Sequence, residues 1–282
     1  MATSTFPVPN RYLNHSVSDL LSLKGRTIVI TGGARGLGLA FTLACAEQSG
    51  NVAVLDAADA PHEHFYDIQK KFDVKLEYYK TDVTKYDELK VTFDKVVADF
   101  GRIDGLITAV GICPDQSFLE RDPASLAKCM NVNVLGTYYS AQLAAQQMVK
   151  QEPTEFNTQG GSIVMIASIA AYVASMGQAT SDYCSSKGAV VSLAKALGVE
   201  LAAHGIRVNS ISPGYMVTDM TLDLCKRQPW LGDIMTNEPP MRRMGDRTDL
   251  KVPVVYLLSN ASAYHTGDDI LITGGIHAGR LM

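Results

Sequence analysis

The stretch Thr31-Gly32-Gly33-Ala34-Arg35-Gly36-Leu37-Gly38 constrains this chain more than any other. It follows a short apolar run, Thr27-Ile28-Val29-Ile30, and opens an Ala- and Leu-rich run from Leu37 to Gln48. The order reads as strand, glycine turn, helix. Such a turn directs backbone N–H groups and the positive end of a helix at one point, where a phosphate is favoured. Glycine is needed because a Cβ would block the approach of a pyrophosphate or forbid a positive φ. The spacing is Gly-x-x-x-Gly-x-Gly rather than the commoner Gly-x-Gly-x-x-Gly. Gly32, Arg35, Gly36, Leu37 and Gly38 are therefore candidates for a dinucleotide cradle, with an ordinary tight turn as the bland alternative.

The rest of the chain suits one large domain around that turn. Its 282 residues are 46% hydrophobic and 19% charged, enough for a sizeable core. The net charge is −4, and no basic run is longer than Arg242-Arg243, so nucleic acid is not an expected partner. No apolar run approaches the roughly 20 residues of a membrane span. The N-terminus lacks a charged-then-apolar signal pattern, so a cytoplasmic protein is expected. The five cysteines (45, 113, 129, 184 and 225) show no paired spacing, and His62-x-His64 lacks a third ligand. No disulfide frame and no metal site are expected. Residues 1–24 read as a polar arm in which Ser16 to Leu21 forms a helical turn; residues 25–282 form the domain.

Strand patterns at 26–31, 51–56, 74–79, 103–108, 162–167, 206–211 and 268–272 alternate with helical patterns near 37–49, 62–72, 85–100, 124–150, 182–203 and 248–259. Most of the strand runs are continuously apolar, as in parallel strands covered on both faces. The expected fold is α/β: a doubly wound, seven-stranded parallel sheet with helices on both faces. Ligands then bind at the carboxyl ends of the strands, where strand order reverses.

Several polar residues fall at those ends. Asp56 closes the second strand, 18 residues past Gly38. A carboxylate there accepts from adenosine ribose hydroxyls and repels a 2′-phosphate, so NAD is expected. Arg35 argues for NADP, because a guanidinium in the glycine loop can meet that phosphate. Asp82, before Val83, is placed either to reach an adenine amino group or to cap the next helix. Asn131 and Asn133 lie inside a long helical pattern, where asparagine competes for backbone bonds; either a specific demand or a wet face explains them. Ser168 ends the fifth strand. Tyr183 and Lys187, at i and i+4, share one helix face. An ammonium near a phenol lowers its pKa from the usual ~10, by about 1.4 kcal/mol per unit. Tyr183 is then a usable acid/base. Alone, Tyr-x-x-x-Lys is common on helix surfaces.

Taken in order, Thr31-Gly32-x-x-x-Gly36-x-Gly38, Asp82, Asn133 in Asn-x-x-Gly, Ser168, Tyr183-x-x-x-Lys187 and Pro213-Gly214 resemble the short-chain dehydrogenases/reductases over about residues 22–276. The stretches 160–168 and 204–214 look most like a fungal branch of sorbose reductases and arabinitol dehydrogenases. The resemblance implies a Rossmann-type fold and hydride transfer between a nicotinamide cofactor and an alcohol or ketone. Tyr183 would exchange the proton, and Ser168 would hold the substrate oxygen. Lys187 would hold the nicotinamide ribose, Asn133 would order a water beside Lys187, and Thr218 would touch the carboxamide. Val83, Gly111, Pro213 and Gly214 are implied as further cofactor contacts. One departure stands out: Thr108-Ala109-Val110-Gly111 replaces the usual Asn-Asn-Ala-Gly, which puts cofactor affinity in question. Residues 215–243, rich in Met and Leu and holding Trp230, read as a substrate lid or as a surface helix pair. The resemblance further implies a homo-oligomer, tetramer or dimer, paired through the helices bearing Ala141, Ala144, Ala145 and Ala189 to Leu197. A polyol or ketose is the expected substrate; an apolar natural-product ketone, or a non-catalytic cofactor sensor, are the alternatives.

Overall fold

The computed structural model describes residues 13–157 and 160–279. Most of the arm, residues 1–12, lies outside them. The arm's last part forms a short helix, α1 (Val17–Leu21), closed by a capping box between Ser16 and Asp19.

Seven parallel strands follow in the order β3-β2-β1-β4-β5-β6-β7. They are β1 (Thr27–Thr31), β2 (Asn51–Asp56), β3 (Leu76–Lys80), β4 (Gly105–Thr108), β5 (Gly161–Ile166), β6 (Ile206–Pro213) and β7 (Asp269–Ile272). Every expected strand is present. The helices are α2 (Gly36–Glu47), α3 (Glu63–Lys71), α4 (Tyr86–Phe100), α5 (Pro123–Met130), α6 (Gly136–Met148), α7 (Ser181–Glu200), α8 (Asp219–Arg227), α9 (Pro229–Asn237) and α10 (Lys251–Leu258). β1 is buried at all five positions, which is why it carries no polar alternation. Ile28 and Ile30 face one core, with Phe41 of α2 and Leu257 of α10. Val29 faces the other, with Leu89 and Phe93 of α4, Ala144 of α6 and Val190 of α7.

Strand order reverses between β1 and β4, which pair with Thr31 opposite Thr108. The glycine turn after β1 and the Ala109–Gly111 turn after β4 therefore emerge side by side, at the crevice where this fold class takes ligands.

The helical pattern at 124–150 is present as a continuous helical run over 123–148, in which α5 and α6 are joined by a wider π turn, Asn131–Leu135. Ala141, Ala144 and Ala145 of α6, with Val190 and Ala194 of α7, pack in the subunit's own core, while Ala189, Leu193 and Leu197 of α7 are half-buried. The small side chains let these helices sit close on the sheet.

Candidate active site

Each glycine of the turn answers a different demand. Gly32 has φ +74°, and a Cβ on it would stand 2.8 Å from the Val110 backbone nitrogen. A Cβ on Gly38 would stand 2.0 Å from the Gly32 carbonyl oxygen, so the turn closes on itself only without one. Gly36, with φ +58°, opens α2 and has nothing within 4 Å of its Cβ position. Its side of the loop is open beside the first N–H groups of α2, which have no acceptor inside the helix. Arg35 is exposed, in extended backbone, and makes no side-chain cap.

The carboxylate of Asp56 braces this turn: Oδ2 accepts from the Ala34 N–H and Oδ1 from the Ala58 N–H, both at 3.2 Å. It thus sits at the mouth of the glycine loop, as its spacing implied. Asp82 does not cap α4, whose start carries no side-chain cap; its Oδ1 accepts from the N–H and hydroxyl of Thr84 at 2.9 and 2.8 Å, in the turn before that helix. Val83 packs into the space left by Gly136, where a Cβ would stand 2.6 Å from its Cγ2.

The π turn explains one asparagine and not the other. Asn131 is exposed. Asn133 is fully buried. Its amide accepts from the Ile112 N–H and donates to the Ile112 carbonyl, both at 2.9 Å, and donates to Ser186 Oγ at 2.9 Å. Ser186 Oγ in turn donates to the Tyr183 carbonyl at 2.8 Å. One side chain therefore ties the loop after β4 to α7. The widened turn rotates Asn133 inward, a common role of π turns at functional sites.

Ser168 caps a short 3-10 turn after β5, its Oγ accepting from the Ala170 N–H at 3.1 Å. Lys187 Nζ donates to the Ile166 carbonyl at 2.8 Å. It lies 5.7 Å from the centre of the Tyr183 ring. A Cβ on Gly111 would lie 3.5 Å from Lys187 Nζ and 3.6 Å from Asn133 Oδ1, so this residue faces both side chains across the floor of the site. Asn133, Ser168, Tyr183 and Lys187 thus gather at the carboxyl edge of β4 and β5. Burial pulls the Lys187 ammonium down to about 8. The Tyr183 phenol is pushed above its ordinary value, by burial first and by the Cys113 thiol next, while a hydrogen bond to Ser168 acts the other way. The sequence expectation of a lowered phenol is not met, because burial dominates.

The far wall comes from later segments. Gly214 turns against β7's exit, where a Cβ would stand 2.9 Å from Thr273 Cα. Thr218 caps α8, its Oγ1 accepting from the Thr221 N–H at 3.2 Å. Residues 215–243 hold the helix pair α8 and α9. Its Leu231 and Met235 are buried, while the Trp230 ring is half exposed and packs on Gly177 of the loop after Ser168, 2.4 Å from the Cβ position there.

A family model described as enoyl-(acyl carrier protein) reductase matches residues 32–277. The NADP-dependent mannitol dehydrogenase of Hypocrea jecorina is 33% identical over 275 residues, 95% of this chain and 97% of that protein. This chain belongs to the short-chain dehydrogenase/reductase family. The sorbose reductase of Schizosaccharomyces pombe is 33% identical, covering 92% of this chain and 98% of its own length. The solved NADPH-dependent 3-quinuclidinone reductase of Rhodotorula rubra superposes with a TM-score of 0.85 at 33% identity, over 98% of each chain.

As a short-chain dehydrogenase/reductase, the protein is an NAD(P)-dependent oxidoreductase. Its residues fit that cofactor. The glycine turn forms an open cradle, Asp56 stands at its rim, and Gly111 faces Lys187. The family's Asn-Asn pair is replaced by Thr108-Ala109; Thr108 Oγ1 is buried and has no hydrogen-bond partner among the described residues. Sequence reasoning missed three residues of this dehydrogenase/reductase. Ser186 was hidden as one polar residue in a helix. Asp182 accepts from the Tyr183 N–H at 2.8 Å and its side chain is also paired with Arg121, and neither residue carried a signal of that pairing.

Proposed function

We propose that the protein interconverts a ketone and a secondary alcohol on a polyol or ketose, with Tyr183 as the acid/base and NAD(H) as the preferred cofactor. The observation that carries this is the meeting of Ser168, Tyr183, Lys187 and Asn133 at one strand edge beside the glycine cradle. The bound nicotinamide would supply or accept the hydride. Ser168 would donate to the substrate oxygen and hold it by Tyr183. Burial keeps the proton on Tyr183, which suits donation to a carbonyl oxygen in the reducing direction. Lys187, brought near 8, would return a proton at neutral pH, and Asn133 would fix the loop carrying Gly111. The sugar-active relatives support the substrate class.

A nicotinamide absorbance assay over sorbose, fructose, mannitol and rhamnose, set beside bulky apolar ketones, tests the class. Turnover of none of the sugars would end the polyol reading. The second reading, an apolar ketone, is favoured by half or more exposed Met176, Trp230 and Met241, which suit an irregular apolar surface. Asp56 supports NAD(H): Asp56→Ala should narrow the ratio of kcat/KM for NAD over NADP by about tenfold, the loss of roughly one charged hydrogen bond. A wild-type preference for NADP(H) would give the decision to Arg35.

The α8–α9 pair with Trp230 serves as the substrate lid in this reading. The protein assembles as a homo-oligomer, probed by light scattering at micromolar concentration. The surface that supports this is a groove of about 430 Å³ between α6 and α7, lined by Tyr138, Ala141, Ala145, Val149, Leu197 and Leu201.

A further inference from the structure

We propose that the Arg121–Asp182 ion pair is a positioning device for the catalytic helix, fixing the first turn of α7, and with it Tyr183, against the wall of the substrate pocket. This rests on the reading of Tyr183 as the acid/base.

Both side chains are almost wholly buried, 6% exposed for Arg121 and 1% for Asp182. Asp182 sits immediately before Tyr183 in the first turn of α7. Its Oδ1 accepts from the Tyr183 N–H at 2.8 Å, one of the amides with no acceptor inside the helix. Its Oδ2 is paired with Nη1 of Arg121. Nη2 of the same guanidinium donates to the carbonyls of Gln116 and Ala179. Those two residues are themselves joined, the Gln116 N–H donating to the Ala179 carbonyl at 3.2 Å. The Ala179 N–H donates to Asp115 Oδ1 at 2.8 Å. One planar fork thus joins three segments: the loop after Gly111, the loop after Ser168, and the start of α7. Ala179 lies two residues past Gly177, the residue on which Trp230 packs.

A helix start needs no cation to be capped; an exposed Ser, Thr or Asp suffices. Burying two charges is expensive, and such pairs often add little net stability. The arrangement makes sense as a source of fixed geometry. Lysine in place of Arg121 would keep the charge but not the planar fork that reaches two carbonyls and a carboxylate at once. Misplacement of a reacting group by about 1 Å can cost on the order of 10²-fold in rate.

The test uses Arg121→Met, Arg121→Lys and Asp182→Asn in the full chain, with sorbose as the probe substrate. Rates are taken per cofactor-binding site, counted by fluorescence titration with NADH. For Arg121→Met, kcat should fall about ten- to a hundredfold while NADH affinity stays within about twofold. Arg121→Lys should recover part of the loss. Amide exchange at 177–186 should quicken in Arg121→Met while that of β1 and α2 does not. A variant that loses thermal stability but keeps wild-type kcat per binding site would make the pair a structural staple and overturn the proposal. So would unchanged exchange at 177–186, a readout that needs no turnover. Activity retained in Tyr183→Phe, by contrast, would remove the acid/base reading and leave the exchange result standing.

Discussion

The two sides of the site are held by different physics. On the cofactor side, β1, the glycine turn, α2 and Asp56 span residues 27–56, and their geometry is set by backbone contacts within that span. Gly38 closes on the Gly32 carbonyl, and Asp56 accepts from Ala34. On the substrate side, the walls come from residues 111–122, 168–180 and 214–245, joined by side chains far apart in sequence. Arg121 holds Asp182 and Ala179; Tyr215 donates to Glu238 at 2.7 Å; Arg247 holds Asp219 at 2.9 Å; Trp230 covers Gly177. The first side is a local solution to one steric problem. The second is an assembly of long polar and apolar side chains, each free to differ without disturbing the sheet, which is how one fold serves many substrates.

Tyr183 lies where the two sides meet, so its loss should strike turnover and neither wall. Tyr183→Phe should lower kcat by about 10²–10⁴-fold with cofactor affinity retained. A drop within about tenfold, seen in the same absorbance assay, would give the proton transfer to another group. The next effect separates the sides. Gly38→Ala puts a methyl 2.0 Å from a backbone oxygen, and overpacking of this kind costs about 1–3 kcal/mol. NADH affinity should weaken accordingly, measured by fluorescence titration, while amide exchange in α8 and α9 is unmoved. Loosening of both would show the sides to be coupled.

A third effect lies at the junction and concerns stability. Lys187 titrates near 8 in the folded chain against 10.5 ordinarily. Below pH 8 the folded state holds a buried charge, and that penalty is fully present. As pH rises from 8 to 10.5 the folded lysine is already neutral while the unfolded one still binds its proton, so wild-type stability climbs. Lys187→Met should therefore stabilise the protein at pH 7. The shift corresponds to about 3 kcal/mol, reduced by about 1 kcal/mol for the lost bond to the Ile166 carbonyl. The gain in denaturant unfolding should shrink toward pH 10.5, and a constant gain across that range would assign it to packing. The smallest effect is expected at the outer wall. Trp230→Ala should raise KM for the sugar by about three- to tenfold, since a half-exposed ring contributes only a kcal/mol or so, and leave NADH affinity alone. Unchanged substrate kinetics would move specificity to the 169–180 loop.

The same contrast explains what was legible beforehand. All seven strands, the glycine turn and Asp56 at its rim follow from patterns that act over a few residues, while the grouping of Asn133, Ser168, Tyr183 and Lys187 was implied by the resemblance to the family. Continuous apolar runs mark covered strands. Glycines mark close backbone approach. A hydroxyl or carboxylate at a strand's end lands on the crevice. The π turn inside the helical run at 123–148 was harder to see, because one inserted residue only shifts the phase of the apolar rhythm. Only the unease of two asparagines in a helix hinted at it. The stripe Ala141-Ala144-Ala145 packs in the subunit's own core and by itself says nothing of subunit contact, because small residues serve both equally well.

The sequence by itself determined the parallel sheet, the glycine turn after β1 and the polar residues at strand ends. These depend on periodicity, sterics and strand ends, which are local; the grouping of Asn133, Ser168, Tyr183 and Lys187 was implied by the resemblance to the family. Tertiary structure alone decided that Asn133 turns inward and Asn131 outward. It also decided that burial pushes the Tyr183 phenol up, and that Arg121, 61 residues upstream, is the partner of Asp182. Burial and ion pairing are sums over neighbours from every part of the chain, and no window of sequence contains them.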